Sequence, residues 1–165
     1  MTIRTVFGSL KQFEKGGIQL IRDDPRNYAF SNVFEVASKA RPWEKVAVAR
    51  NMEYVLEAVR AEGTSPWYAA AHDEFALVMD GSIEVALRKL EAAERVPEGT
   101  PGTTVLAGEP KGKAMGRIRA RRGHLSLLPV GAGYQFRAAE PSVLLIQTIL
   151  GAHTVERWAE ICITS

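Results

Sequence analysis

Along the chain, short apolar runs alternate with Gly, Pro and charged residues, and few stretches carry the 3.6-residue period of an amphipathic helix. The runs Ile18 to Ile21, Val33 to Ala37, Val46 to Ala49, Tyr54 to Val59, Glu74 to Met79, Ile83 to Leu87, Arg117 to Arg121, Leu125 to Leu128, Tyr134 to Ala138 and Val143 to Leu150 read as strands. "NMEYVLEAVRAEG" satisfies the strand and the helix period in part, and strand is the preferred reading. In Glu74 to Met79 a period of two sets Phe75, Leu77 and Met79 on one face, opposite Glu74, Ala76 and Val78. If the Glu74 face lines an interior, the other face needs a cover: a second sheet, an N-terminal arm or another chain.

Two segments stand apart from this pattern. Residues 1–40 mix aromatics with turn signals ("EKGG", "DDPRN") and read as an arm or extra strands on a main body at 41–165. Residues 96–116, "VPEGTPGTTVLAGEPKGKAMG", hold three Pro and five Gly and predict a long loop excursion between two halves. Short strands in two halves predict an all-β, double-sheet jelly-roll barrel, which protects its edges by closure.

At 165 residues the chain fits one domain, 1–165. Its 46% hydrophobic and 24% charged residues exclude a disordered composition. A formal charge of +2 gives no global field for nucleic acid or an anionic membrane. "MTIRTVFGSLKQF" lacks an apolar core with a cleavage site, and no apolar stretch reaches membrane-span length, so the expected location is the cytoplasm. Cys162 is the single cysteine, which excludes an intrachain disulfide and a Cys-based metal cluster and is expected to serve as a small hydrophobe.

"GHLSLLPVGAGYQFRA" carries the resemblance that organises the rest: Gly123, five residues, Pro129, Gly131, then Tyr134. It resembles the second motif of cupins, in which a His stands where this chain has Tyr134. The spacing from Glu74 to Gly81 resembles the far end of the first cupin motif, whose two His and one Glu join the second motif's His around a metal. The resemblance implies a cupin-like double-stranded β-helix over roughly the last two-thirds of the chain. In that register Trp67, Tyr68, Ala69, Ala70 and Ala71 span both first-motif His positions, and none is His. Sliding the motif to use His72 puts the required Glu at Ala76, Leu77, Val78 or Met79. Only Glu74 of the four ligands survives, so no metal is expected in this chain.

His72 and Glu74, two apart on one strand face, supply at most two ligands, and a catalytic iron or zinc site usually takes three. His124 falls beside a turn at the barrel rim and His153 near the C-terminus. The expected site is a vestigial cavity or ligand pocket of Trp67, His72, Glu74 and Tyr134, with the Tyr134 hydroxyl partnered by Glu74 or His72. Arg117, Arg119 and Arg121 share a strand face that reads as a charged edge before it reads as a nucleic-acid site. Trp43, Trp67 and Trp158 suit a core or an interface. No nucleophile elbow with a Ser, His and Asp set is present.

The longer pattern "KARPWEKVAVARNMEYVLEAVRAEG" leading into "SPWYAAAHDEFALVMDGSIEV" is similar to the small subunit of two-subunit hydroquinone 1,2-dioxygenases, over nearly the whole chain. That resemblance implies a ring-cleaving enzyme converting hydroquinone and O2 to 4-hydroxymuconic semialdehyde. It further implies Fe(II) in a large partner subunit, a heterotetramer acting on an aromatic diol, and a small subunit with no catalytic residue of its own. The alternatives are a stand-alone degenerate cupin binding a small aromatic or sugar acid, and an atypical independent metalloenzyme using His72, Glu74 and Tyr134.

Overall fold

The computed structural model describes residues 7–16, 18–19, 21–23 and 31–161; Cys162 lies outside them. Ten strands form a curled, mainly antiparallel sheet: β1 (Lys45–Asn51), β2 (Tyr54–Thr64), β3 (Tyr68–Ala70), β4 (Glu74–Asp80), β5 (Ser82–Lys89), β6 (Thr103–Val105), β7 (Ala114–Arg121), β8 (Leu125–Leu128), β9 (Ala132–Ile149) and β10 (Thr154–Val155). The "NMEYVLEAVRAEG" segment is extended: β1 and β2 form a hairpin turning at Met52 and Glu53, and Met52 takes a positive φ of 57°. The path doubles back on itself because β9 belongs to both layers. Its first part pairs with β5, from Glu84↔Arg137 to Lys89↔Ala132, and its second part with β4 and β2, where Gln147 faces Phe75 on one side and Leu56 on the other.

The runs Tyr134 to Ala138 and Val143 to Leu150 are therefore two ends of one strand. Between them the pairing with β2 jumps from Ala61↔Ser142 to Gly63↔Ala138, a bulge that takes up residues 139–141. Pro141, which has no N–H for the ladder, sits in that irregularity, and the bend there carries β9 from one layer to the other. Gly81, between β4 and β5, has φ of 79°, and a Cβ on it would lie 2.1 Å from the Ser142 hydroxyl oxygen, so the turn holds glycine against the bulge.

Two strand expectations fail. Val33 to Ala37 is helical, within α1 (Val33–Lys39), in spite of its β-branched and aromatic residues. The Asn32 side chain caps the first turn by accepting from the N–H of Phe34 and Glu35, and Glu35 pairs with Lys39 one turn on at 2.9 Å. Ile18, Gln19 and Ile21 are not in a strand, and Leu20 lies outside the described residues. The excursion at 96–116 is also more ordered than a loop. It contributes β6, paired with β3 from Tyr68↔Val105 to Ala70↔Thr103, and β7 already begins at Ala114. A short α2 (Trp158–Ile161) ends the described chain.

The main core fills the space between the layers with Val59, Tyr68, Val78, Ile83, Val85, Leu128, Tyr134, Phe136, Leu144 and Ile146. Trp43 packs on it, its ring stacked on Phe136 at 6.0 Å, and Trp158 packs on a smaller cluster around Ala40 and Val46. Described parts of the N-terminal forty residues lie on the outside of the barrel. The Leu10 N–H donates to the Asp80 carboxylate, and Phe7, Gly8 and Phe34 meet Leu77, Met79 and Arg122. No helix among the described residues is long and apolar enough to cross a membrane.

Candidate functional site

The inward faces of β1, β2, β3, β4, β6 and β9 bring a set of polar side chains into the barrel. Glu74, the first residue of β4, is fully buried and is the common acceptor of this set. One carboxylate oxygen, Oε1, accepts from the Thr103 hydroxyl at 2.7 Å and the Thr148 hydroxyl at 2.6 Å, and the other, Oε2, accepts from the Tyr134 hydroxyl. Burial first, and then the charge of Glu74, push the Tyr134 phenol well above its ordinary range, so it stays a donor. His72 reaches the same cluster from the bend before β4, with Nε2 3.0 Å from Thr148 Oγ1. The single hydroxyl proton of Thr148 is directed at Glu74, so His72 Nε2 carries the proton of this contact.

A cation stands beside this carboxylate. The Lys45 ammonium donates to Thr103 Oγ1 at 3.3 Å, lies 3.7 Å from Glu57 Oε2 and sits 4.9 Å from the centre of the Tyr68 ring. Lys45 is 4% exposed, Glu57 1% and Glu74 0%, so two carboxyl groups and one ammonium are enclosed together. Glu57 Oε1 accepts from Thr154 at 2.7 Å, whereas Oε2 has no hydrogen-bond partner among the described residues. Its carboxyl is pushed up, chiefly by burial; Lys45 and Thr154 oppose the shift and the charge of Glu74 adds to it. One ammonium does not neutralise two buried carboxylates, and Glu57 is the member driven toward the protonated form. Tyr68 is pushed up to about 12 by burial and then by Glu57.

These residues do not fit a metal ion. Each oxygen of Glu74 already accepts a hydroxyl, Tyr134 is spent on one of those bonds, and His72 is turned to Thr148. Among the described residues no three His, Cys, Asp or Glu side chains are grouped to hold a metal, and the nearby charge is the Lys45 ammonium, which repels one.

The structure thus joins three of the four residues the sequence singled out. Trp67 lies apart: it lines a surface groove with Leu87, Arg88, Glu109 and Gln135, because its neighbour Tyr68 takes the inward position opposite Tyr134. His124 is exposed and accepts the Arg121 N–H on Nδ1, and His153 is exposed beside a depression at the barrel mouth that Trp43, Lys45 and Tyr68 also line. Arg117, Arg119 and Arg121 do share an outer face, where Glu84 lies 3.5 Å from Arg117 and 3.6 Å from Arg119. Sequence reading missed Lys45, Glu57, Thr103 and Thr148. The available signal was Glu57, a charged residue at the same parity as Val55, Val59 and Ala61 in an otherwise apolar strand face.

No protein-family model matches the chain, and no curated protein matches it by sequence. Solved structures do. A chain of the hydroquinone 1,2-dioxygenase from Sphingomonas sp. TTNP3, solved with 4-hydroxybenzoate bound, is 54% identical with a TM-score of 0.95, over 99% of each chain. A chain of the hydroquinone 1,2-dioxygenase PnpCD, in complex with Cd2+ and 4-hydroxybenzonitrile, is 50% identical with a TM-score of 0.92, over 99% of this chain and 98% of that one. The Sphingomonas enzyme also has a second kind of chain, more than twice as long, of which 36% aligns with 81% of this chain at 15% identity and a TM-score of 0.63. A cupin-2 domain protein from Shewanella frigidimarina shares the fold alone, at 19% identity and a TM-score of 0.51 over 70% of this chain and 89% of that one. On an all-β cupin barrel, and with half or more of its residues identical from end to end to the short chains of two such enzymes, this chain belongs to the small-subunit family of the hydroquinone 1,2-dioxygenases.

Proposed function

We propose that this chain is the non-metal-binding small subunit of a ring-cleaving hydroquinone 1,2-dioxygenase. The observation that carries the proposal is the end-to-end identity of 54% to the short chain of such an enzyme, joined to a barrel interior in which an ammonium stands beside the one remaining cupin carboxylate. The Fe(II) belongs to a large partner subunit, which binds hydroquinone and inserts both atoms of O2 to give 4-hydroxymuconic semialdehyde. The small subunit works in the cytoplasm as one domain, 1–165, in a heterotetramer. Its part is structural. The Glu74, Tyr134 and His72 cluster plugs the space of the lost metal site and keeps β4, β6 and β9 in register, and Trp67 serves the outer surface.

The test is reconstitution. The purified chain, given Fe(II), reductant and hydroquinone, is expected to consume no O2, and adding the large subunit of a hydroquinone 1,2-dioxygenase is expected to restore O2 uptake and ring-opened product. Turnover by the rigorously isolated chain, lost in Glu74→Ala, would overturn the proposal in favour of an independent metalloenzyme.

A further inference from the structure

We infer that the outer face of β4, β8, β9 and β2 is the docking surface for the longer dioxygenase chain, an inference that rests on the small-subunit reading above. The register draws the surface. Leu127 lies opposite Phe75, Phe75 opposite Gln147, and Gln147 opposite Leu56, so one cross-strand row runs over four strands. The next row is Leu125, Leu77, Leu145 and Ala58, and Tyr54 lies beyond Leu56 on the same parity. Leu56, Tyr54, Phe75, Leu125 and Leu127 are between 37% and 62% exposed, while their inward neighbours Val55, Glu74, Ala76, Ser126 and Leu128 are buried. Five large apolar side chains held together by sheet register form a patch of the kind that monomers rarely leave open.

Among the described residues, the chain covers only one side of this face. α1 packs on β2, where Ala58 is fully buried with Ala37, and Phe7, Gly8 and Phe34 close over Leu77 and Met79. Beyond Leu77 the described chain offers no further cover, and the row through Leu127, Phe75 and Leu56 stays open with Gln147 as its one polar member. An apolar centre with an aromatic anchor suits a permanent partner. Two features favour the longer chain as occupant. Structures of the Sphingomonas enzyme and of PnpCD both contain a chain of more than twice this length, and part of that chain shares this barrel fold at a TM-score of 0.63 in each. A chain with the same barrel carries an equivalent outer sheet, and two such sheets pack face to face about 10 Å apart with their strands roughly aligned. The opposite outer face, with Arg117, Arg119, Arg121 and Arg137 around Glu84, is charged and exposed and has no such apolar centre.

The probe is the longer chain of the Sphingomonas sp. TTNP3 enzyme, mixed with this chain and followed by gel filtration with light scattering. The wild-type chain is expected to co-elute with it. The double variant Phe75→Ser/Leu127→Ser is expected to bind about a hundredfold more weakly with an unchanged melting temperature, and Arg119→Ser to bind like wild type. Failure of the wild-type chain to bind at all would overturn the small-subunit reading itself. Wild-type binding that survives in the double variant, or is lost in Arg119→Ser, would leave that reading standing and overturn this face. A drop of several degrees in the melting temperature of the isolated double variant would show that the patch is covered by the chain's own residues. A dimer of this chain alone, dissociated by the same substitutions, would assign the face to a second copy. Either result overturns the inference.

Discussion

The two sides of β4 reverse the usual distribution of chemistry in a folded protein. Inward from Glu74 lie an ammonium, two carboxyl groups, four hydroxyls engaged on them and an imidazole, with the ammonium and both carboxyl groups enclosed. Outward from Phe75 lie leucines and aromatics that meet solvent. Each side is paired differently. The polar interior is satisfied by partners within the chain, save Glu57 Oε2, so its free energy is decided in this chain alone. The apolar exterior is left open by the described residues. An enclosed charge cluster is tolerated where its members hydrogen-bond one another, whereas a large exposed apolar face marks a surface suited to a partner.

The largest effect should come from removing the ammonium. Lys45→Met takes away one side of the enclosed pair and leaves Glu57 and Glu74 without their counter-charge, a loss expected at about 3–5 kcal/mol in urea unfolding. A loss below about 1 kcal/mol would mean that the interior behaves like a solvated surface pair, and the contrast between the two sides would collapse.

Tyr134→Phe is a narrower cut, since the ring still fills its place and the bond to Glu74 Oε2 alone is lost. The expected cost is about 1–3 kcal/mol, read by the same unfolding curves. A neutral outcome would show that ring packing against Tyr68 and Phe136, and not the carboxylate, holds this position.

Glu57 gives a pH signature. Its carboxyl is raised in the folded protein above its ordinary value of 4.5, so the stability linked to it is whole below that value and is lost as pH rises through the raised one. Glu57→Gln lacks this ionisation. The melting temperature of Glu57→Gln relative to wild type should therefore climb as pH rises above the ordinary value of 4.5, where the wild-type unfolded state gains by releasing a proton. A constant difference would place the missing proton on another group of the cluster.

On the other side of the strand the expected effect is smallest. Leu125→Ser, at the most exposed position of the outer patch, should change the stability of the isolated chain by no more than about 0.5 kcal/mol. A larger loss would show that the outer face is part of this chain's own core.

Period-two alternation sufficed to place β4, β5 and β8 and to predict that Glu74 and Phe75 face opposite ways, because strand parity is a local property of the backbone. Motif spacing carried the resemblance to an all-β cupin barrel, because turn glycines such as Gly81 and the position of Tyr134 sit at fixed intervals along one strand and its neighbours, whereas the small-subunit family was legible only as a resemblance of the longer pattern from Lys39 to Val85. Other features were beyond such reasoning. The capping of α1 by Asn32 overrode strand propensity in Val33 to Ala37, and the bulge at residues 139–141 joined two expected strands into one. The enclosed charge cluster was hidden as well, since Lys45, Glu57, Thr103 and Thr148 are separated by up to about a hundred residues and meet only when β1, β2, β6 and β9 close the barrel. A sequence shows that ligands are missing; which side chains then share the enclosed space depends on which strands lie side by side, and strand order is settled by long-range pairing that no local pattern encodes.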